Sequence, residues 1–233
     1  MLMSLLKDIF KQLGSGSKKN NSEEIGRRGN RIDAATRVRK VLNVGGNTKD
    51  IPIPGIYSGW QHDLLDIDPR GNPDVCCDAR SLTQLPGAQY DAVYCSHNLE
   101  HYYQHDVVKV LAGFLHVLKD GGFIQVAVPD MAELMKRVVE GGLDIEDQLY
   151  VSAAGPIHVI DVIYGYRLEI ERSGNEFFAH KTGFTLKSLV ARLSASGFSS
   201  IITEKGELEI SAIAFKNEPS QYAIELLHLD TKE

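Results

Sequence analysis

Apolar residues along the chain follow two rhythms, a helical one and a strand one, and their order predicts the fold class. Leu2, Leu5, Leu6, Ile9 and Leu13 recur at helical spacing, which predicts a short amphipathic helix ending near Gly14. GSGSKKNNSEE (14–24) then reads as a flexible linker. From Ile25 a basic helical stretch runs to about Lys40. Short apolar runs follow: VLNV (41–44) ahead of Gly45 and Gly46, HDLLDID (62–68), a brief run from Val75 to Cys77, YDAVYCS (90–96) and FIQVAVP (123–129). A helical pattern from about Asp106 to Leu118 separates the last two, with KDGG as the turn. Strands alternating with helices at this spacing predict βαβ units and a mostly parallel sheet covered on both faces.

The rhythm changes toward the end of the chain. Thr185 is placed to cap a helix LKSLVARLSAS (186–196) closed by Gly197. FSSIIT (198–203) and ELEISAIAFK (207–216) are strands joined only by EKG, so they must be antiparallel. The expected architecture is α/β: a Rossmann-like sheet, mostly parallel, that ends in an antiparallel hairpin, with helices on both faces. Residues 141–183 fit neither rhythm and read as an insertion over the carboxyl ends of the strands. The expected organisation is a helix and linker over residues 1–24 and a single domain over 25–233.

Composition narrows the function classes. No run of about 18 apolar residues occurs, and MLMSLL is broken at once by Lys7 and Asp8, so neither a membrane span nor a signal peptide is expected. Three cysteines, two of them the neighbours Cys76 and Cys77, make no disulfide framework, which fits a reducing, cytoplasmic setting. The net charge of −6 is uneven: residues 1–40 carry ten Lys and Arg against four Asp and Glu, leaving −12 on residues 41–233. An acidic body argues against nucleic acid as a partner of the main domain.

In an open parallel sheet, ligands bind beyond the carboxyl ends of the strands, so residues just after each strand are the candidate site. Gly45 and Gly46 leave room for a ligand near the backbone, and Asp66, about 20 residues on, is placed to accept from a ribose. That spacing alone allows an NAD(P)-dependent oxidoreductase. Against it, GGNTKD supplies no third glycine, and Pro52 and Pro54 prevent a helix from opening where a pyrophosphate would need one.

Together these segments resemble the class I S-adenosylmethionine-dependent methyltransferases, in particular small-molecule enzymes with an LEH signature. KVLNVGGNTK is similar to the family's first motif, LLDIDP to the second, CCDARSLTQLP to the segment flanking adenine, and YDAVYCSHNLEH with VLKDGGFIQVAVPD to the fourth and fifth strands. The resemblance spans residues 38–139 in order and, less specifically, 184–215. It implies a seven-stranded sheet closing in an antiparallel hairpin, S-adenosyl-L-methionine as cofactor, and a small-molecule methyl acceptor. It also implies cofactor contacts from Asn43, Gly45, Gly46, Asp66, Ile67, Asp68, Asp78, Ala79, Cys95 and Ser96. The chain departs from the family in carrying asparagine at 43 and 47, where an acidic residue and a glycine are usual. A noncatalytic, cofactor-binding member is therefore a further reading. Asp66, Asp68 and Asp78 would keep the site acidic, which suits a sulfonium cation.

Methyl transfer asks mainly for alignment and exclusion of water, with a general base where the acceptor is a hydroxyl. His97, just after the fourth strand, is the first candidate base and His101 the second. His97, His101 and His105 share a four-residue spacing that zinc sites use, but Asp106 reads as a helix cap that turns His105 away, and no metal is expected. Within the insertion His158, Tyr166 and His180 are the candidate acceptor contacts, among the aromatic and cationic groups Tyr164, Arg167, Phe178 and Lys181.

Overall fold

The computed structural model describes residues 38–152 and 155–229. The expected helix and linker of residues 1–24, and most of the basic stretch to Lys40, lie outside them. Strands β1 (Lys40–Val44), β2 (Gln61–Asp66), β3 (Val75–Cys76), β4 (Tyr90–Ser96), β5 (Leu118–Pro129), β8 (Ser199–Lys205) and β9 (Glu209–Phe215) form one seven-stranded sheet in the order β3-β2-β1-β4-β5-β9-β8. β1 pairs in parallel with β2 and β4, and β4 with β5, whereas β9 runs antiparallel to both β5 and β8. The expected closing hairpin is thus present, with β9 inserted between β5 and β8.

Period-two alternation sends the two halves of each strand to different layers. Leu42, Val44, Leu65, Val93, Ile124 and Val126 face one side with helix α1 (Gln104–Val117) and helix α5 (Leu186–Ala195), and Val41, Ala92, Phe123 and Phe215 face the other. Helix α1 presents Val107, Val110, Leu111, Phe114 and Val117, all buried, at the spacing of a single helical face. Helix α2 (Met131–Gly141) follows β5 directly, and helix α6 (Gln221–Leu226) brings Ala223 to the second layer.

Several boundaries differ from the sequence expectation for local reasons. β2 ends at Asp66 rather than Asp68, because the Asp66 carboxylate accepts the Asp68 amide at 2.9 Å and turns the chain. The KDGG turn lies inside β5 as a bulge, since Tyr90 pairs with Leu118 and Ala92 with Phe123, leaving residues 119–122 without partners in the register. Asp106 does not cap α1; Tyr103 holds the N-cap position and its carbonyl accepts the amides of Asp106 and Val107. The insertion is ordered as a separate hairpin, β6 (Gln148–Ser152) and β7 (Gly155–His158), followed by α3 (Val159–Tyr164) and α4 (Arg167–Ser173). Leu134, Val159, Val162 and Leu208 bury it against α2 and the start of β9.

Helix α1 lies so close to the 3-10 turn Ala79–Gln84 that a Cβ at Gly113 would fall 2.6 Å from the Leu82 Cβ. Ala at 113 gains about 1 kcal/mol of helix propensity over Gly, yet overpacking of this kind typically costs more. Gly113→Ala is expected to lower the urea midpoint, a net loss of about 1 kcal/mol or more; a raised midpoint would show that the contact relaxes freely.

Candidate active site

The carboxyl ends of β1, β2, β3 and β4 open on one cleft of about 270 Å³, near the lower end of small-ligand sites. Gly45, Asp66, Ile67, Asp68, Asp78, His97 and His101 of the expected set line it. Asn43 is buried at the end of β1, Cys95 lies fully in the core with its thiol pushed up by burial, and Ala79 is buried under the 3-10 turn. None of these three, nor Gly46 and Ser96, lines the cleft. His158 is tied into the start of α3 by a reciprocal cap with Asp161, and Tyr166 caps α4, so both stand apart from the cleft. His180 lies behind the cleft wall, its ring edge-on to His101 with centroids 4.9 Å apart.

The acidic strand ends are less bare than their spacing suggests. Asp66 accepts from the amides of Asn47 and Asp68, both at 2.9 Å, and keeps further lone pairs toward the cleft. Asp68 and Asp78 are each followed two residues later by an arginine, and the two Asp-x-Arg segments fold alike. Asp68 accepts from the Arg70 amide at 3.0 Å and from Nε and Nη2, and Asp78 takes the same three donors from Arg80. Arg70 holds the Asp68 carboxyl below its usual range; burial opposes ionisation of Asp78, and Arg80 more than offsets it. Arg80 also reaches Asp106 at 3.2 Å, which further binds Lys109. The expectation that all three aspartates present a negative lining is therefore corrected: Arg70 and Arg80 neutralise two of them.

The glycine pair also serves a different purpose from the one expected. A Cβ at Gly45, whose φ is +73°, would lie 2.1 Å from the Asn98 side-chain nitrogen, and one at Gly46 would lie 2.1 Å from that of Asn43. The space freed by the glycines is thus filled by two asparagine side chains. Asn98 lines the cleft and its Oδ1 is buried without a partner.

His97 adopts φ +50° immediately after β4, with its amide donating to Ala127 O at 2.8 Å. Its Nε2 lies 2.7 Å from Glu209, and its Nδ1 lies 3.4 Å from Glu100. Burial disfavours its charge, but the two carboxylates outweigh that and push its pKa up to about 10. An imidazolium between two carboxylates has no lone pair to offer, so His97 is not placed to act as the expected general base. His105 is exposed and stacks on Tyr103, whereas the His101 ring lies edge-on to His180.

Sequence reasoning passed over Glu100 and Glu209, the two partners of His97, and Asn98. Glu209 is 112 residues from His97 and reaches it because antiparallel β9 begins opposite Pro129, where the parallel strands end. Phe177, Phe178 and Lys181 of the insertion, with Tyr102 and Tyr103, complete the lining.

His97 has a folded-state pKa above its ordinary 6.5, so its stabilisation is complete below about pH 6.5 and is lost as pH rises toward 10. The unfolding free energy should fall across that window, and the fall should vanish in His97→Gln; chemical denaturation at stepped pH reads this, and an unchanged slope in the variant would contradict it.

Residues 63–126, which run from β2 through α1 into β5, match the family model described as a methyltransferase domain. No curated protein matches the sequence. Among solved structures the chain is similar to a protein from Pyrococcus horikoshii OT3, with a TM-score of 0.50 and 15% identity over 78% of this chain and 84% of that one. It is similar also to an O-methyltransferase family protein from Burkholderia thailandensis, with a TM-score of 0.50 and 11% identity over 92% of this chain and 56% of that one. A SAM dependent methyltransferase from Archaeoglobus fulgidus gives a TM-score of 0.47 and 16% identity over 76% and 86%. At such identities the likeness concerns the fold. No helix among the described residues is long and apolar enough to cross a membrane. By the matched segment and the order of its sheet, the chain has the Rossmann-like fold of the methyltransferases it resembles.

Proposed function

We propose that the chain transfers a methyl group from S-adenosylmethionine to a small-molecule acceptor held in the cleft. The observation that carries this reading is the convergence of Gly45, Asp66, Ile67 and Asp78, from the ends of three strands, on one cleft that Asn98 and His101 also line. The residues present fit the cofactor. Asp66 keeps lone pairs for ribose hydroxyls, and Ile67, 41% exposed, offers an apolar flank to the base. The unpartnered Asn98 Oδ1 is an acceptor for an ammonium group. In the bound state the cofactor supplies an activated methyl on a positively charged sulfur.

The protein's own part is chiefly alignment and exclusion of water. Phe177 and Phe178 from the insertion form an apolar wall of the cleft, and Lys181 beside them adds a positive charge. Because Arg70 and Arg80 neutralise Asp68 and Asp78, this charge favours an anionic or sugar-like acceptor over a cationic one. His97, held between Glu100 and Glu209, ties the β4 end to the β9 start and fixes the loop that carries Asn98. Residues 38–229 are read as the catalytic unit, with the insertion as its acceptor-side cover.

The filling of the glycine loop by Asn43 and Asn98 favours one second reading, a member that binds cofactor without transferring methyl groups. Titration calorimetry with S-adenosylmethionine and its demethylated product distinguishes the cases. Binding is expected, and Asp66→Ala should weaken it by about tenfold or more, since a charge-assisted hydrogen bond is worth about 1.5–3 kcal/mol. Absence of binding at millimolar cofactor sinks both readings. Binding without turnover on any acceptor of a broad panel selects the second.

A further inference from the structure

We propose that Glu100, His101 and His180 form a binding site for a divalent transition metal of the zinc type. Their ligand atoms all lie within 4.8 Å of one another, although His180 is far from the other two in sequence. The backbone brings them together: Glu100 O accepts from the amides of Lys181 at 2.7 Å and Thr182 at 3.1 Å, stitching the insertion to the turn Leu99–His101.

The hydrogen bonds of both imidazoles fix their tautomers. His101 Nδ1 lies 3.2 Å from Ala179 O, and His180 Nδ1 lies 2.9 Å from Val162 O. A carbonyl only accepts, so each Nδ1 carries a proton, and in the neutral ring the lone pair lies on Nε2. Metal-binding histidines are oriented in this way, with the second nitrogen donating to a carbonyl or carboxylate.

Glu100 supplies the independent observation. It is 1% exposed; its Oε1 meets only His97 Nδ1, at 3.4 Å, and its Oε2 has no hydrogen-bond partner. Leaving a buried carboxylate oxygen without a donor is costly, and a cation at Oε2 removes the cost. A void of about 10 Å³, lined by Glu100, His180 and Thr182, adjoins the carboxylate, and the Thr182 hydroxyl is buried without a partner too. That is room for one ion or one water.

Two imidazole nitrogens and one carboxylate oxygen suit zinc, iron(II) or cobalt(II) better than magnesium or calcium, which prefer oxygen ligands. Zinc bonds of about 2.0–2.2 Å bring ligand atoms to roughly 3.3 Å apart, so the three side chains must close by about 1 Å around the ion. Three protein ligands leave at least one coordination position open. His101 lines the main cleft while Glu100 and His180 line the void behind it, so an ion between them lies in the wall of the cleft.

The test uses the full chain after dialysis against a chelator, titrated with Zn²⁺ by calorimetry and with Co²⁺ by visible absorption. The wild type should bind one Zn²⁺ per chain and develop cobalt ligand-field bands. His180→Ala should weaken Zn²⁺ binding at least tenfold and remove the bands, while His105→Ala, on an exposed histidine, should change neither. Glu100→Gln keeps the side-chain shape without its charge and should behave as His180→Ala, its fold checked by circular dichroism. X-ray absorption at the zinc edge of the wild type needs no variant: it should show two imidazole rings in the first shell at about 2.0–2.1 Å. No saturable Zn²⁺ binding, binding unaffected by His180→Ala, or a first shell without two imidazoles overturns the proposal and leaves the void to a buried water.

Discussion

Parallel strands that stop at the same edge leave backbone amides in their following loops with no strand to pair with, and a buried amide without an acceptor is expensive. Here aspartates supply the acceptors. Asp66 takes the amides of Asn47 and Asp68, Asp68 that of Arg70, Asp78 that of Arg80, and Asp130 those of Ala132 and Glu133 at the start of α2. The acidity of this edge is therefore in the first place a structural necessity. It becomes a ligand site only where a carboxylate has lone pairs left over and no arginine upon it, which among Asp66, Asp68 and Asp78 singles out Asp66.

The same division governs what could be read from the sequence. The succession of strands and helices and the closing hairpin were legible, because alternation and the three-residue EKG link are local signals that tertiary packing had no reason to override. The cleft's lining from Gly45, Asp66, Ile67, Asp78, His97 and His101 was legible as well, since the topology forces strand ends together. The pairing of Asp68 with Arg70 and of Asp78 with Arg80 was not read from the sequence. What was not legible depended on long-range approach: Glu209 reaching His97, Asn98 filling the space over Gly45, and His180 meeting His101. No local pattern announces these, because each arises from how β9 and the insertion dock on an edge already built.

The insertion was the least readable segment, and its chemistry divides accordingly. His158, attractive as an isolated polar group, is consumed in capping α3, and Tyr166 holds the N-cap position of α4 away from the cleft. Phe177, Phe178 and Lys181 face the cleft because the 3-10 turn Glu176–Phe178 and the amides of Lys181 and Thr182 are held against Glu100. Backbone stitching, rather than side-chain identity, selected which residues face the cleft.

Two histidines four residues apart on one loop, His97 and His101, show how completely a partner decides the chemistry of an imidazole. His97 meets carboxylates on both nitrogens, so both must donate and the ring is held as a cation. His101 meets a carbonyl on Nδ1, so that nitrogen donates and Nε2 is the one left for another partner. Spacing from β4 makes them look like alternative candidates for one role, but the groups opposite them assign different ones. The cation locks β4 to β9, while the second ring packs edge-on to His180 beside Glu100. The first histidine is thus spent on holding the strand ends together, and the second is tied to the insertion through Ala179.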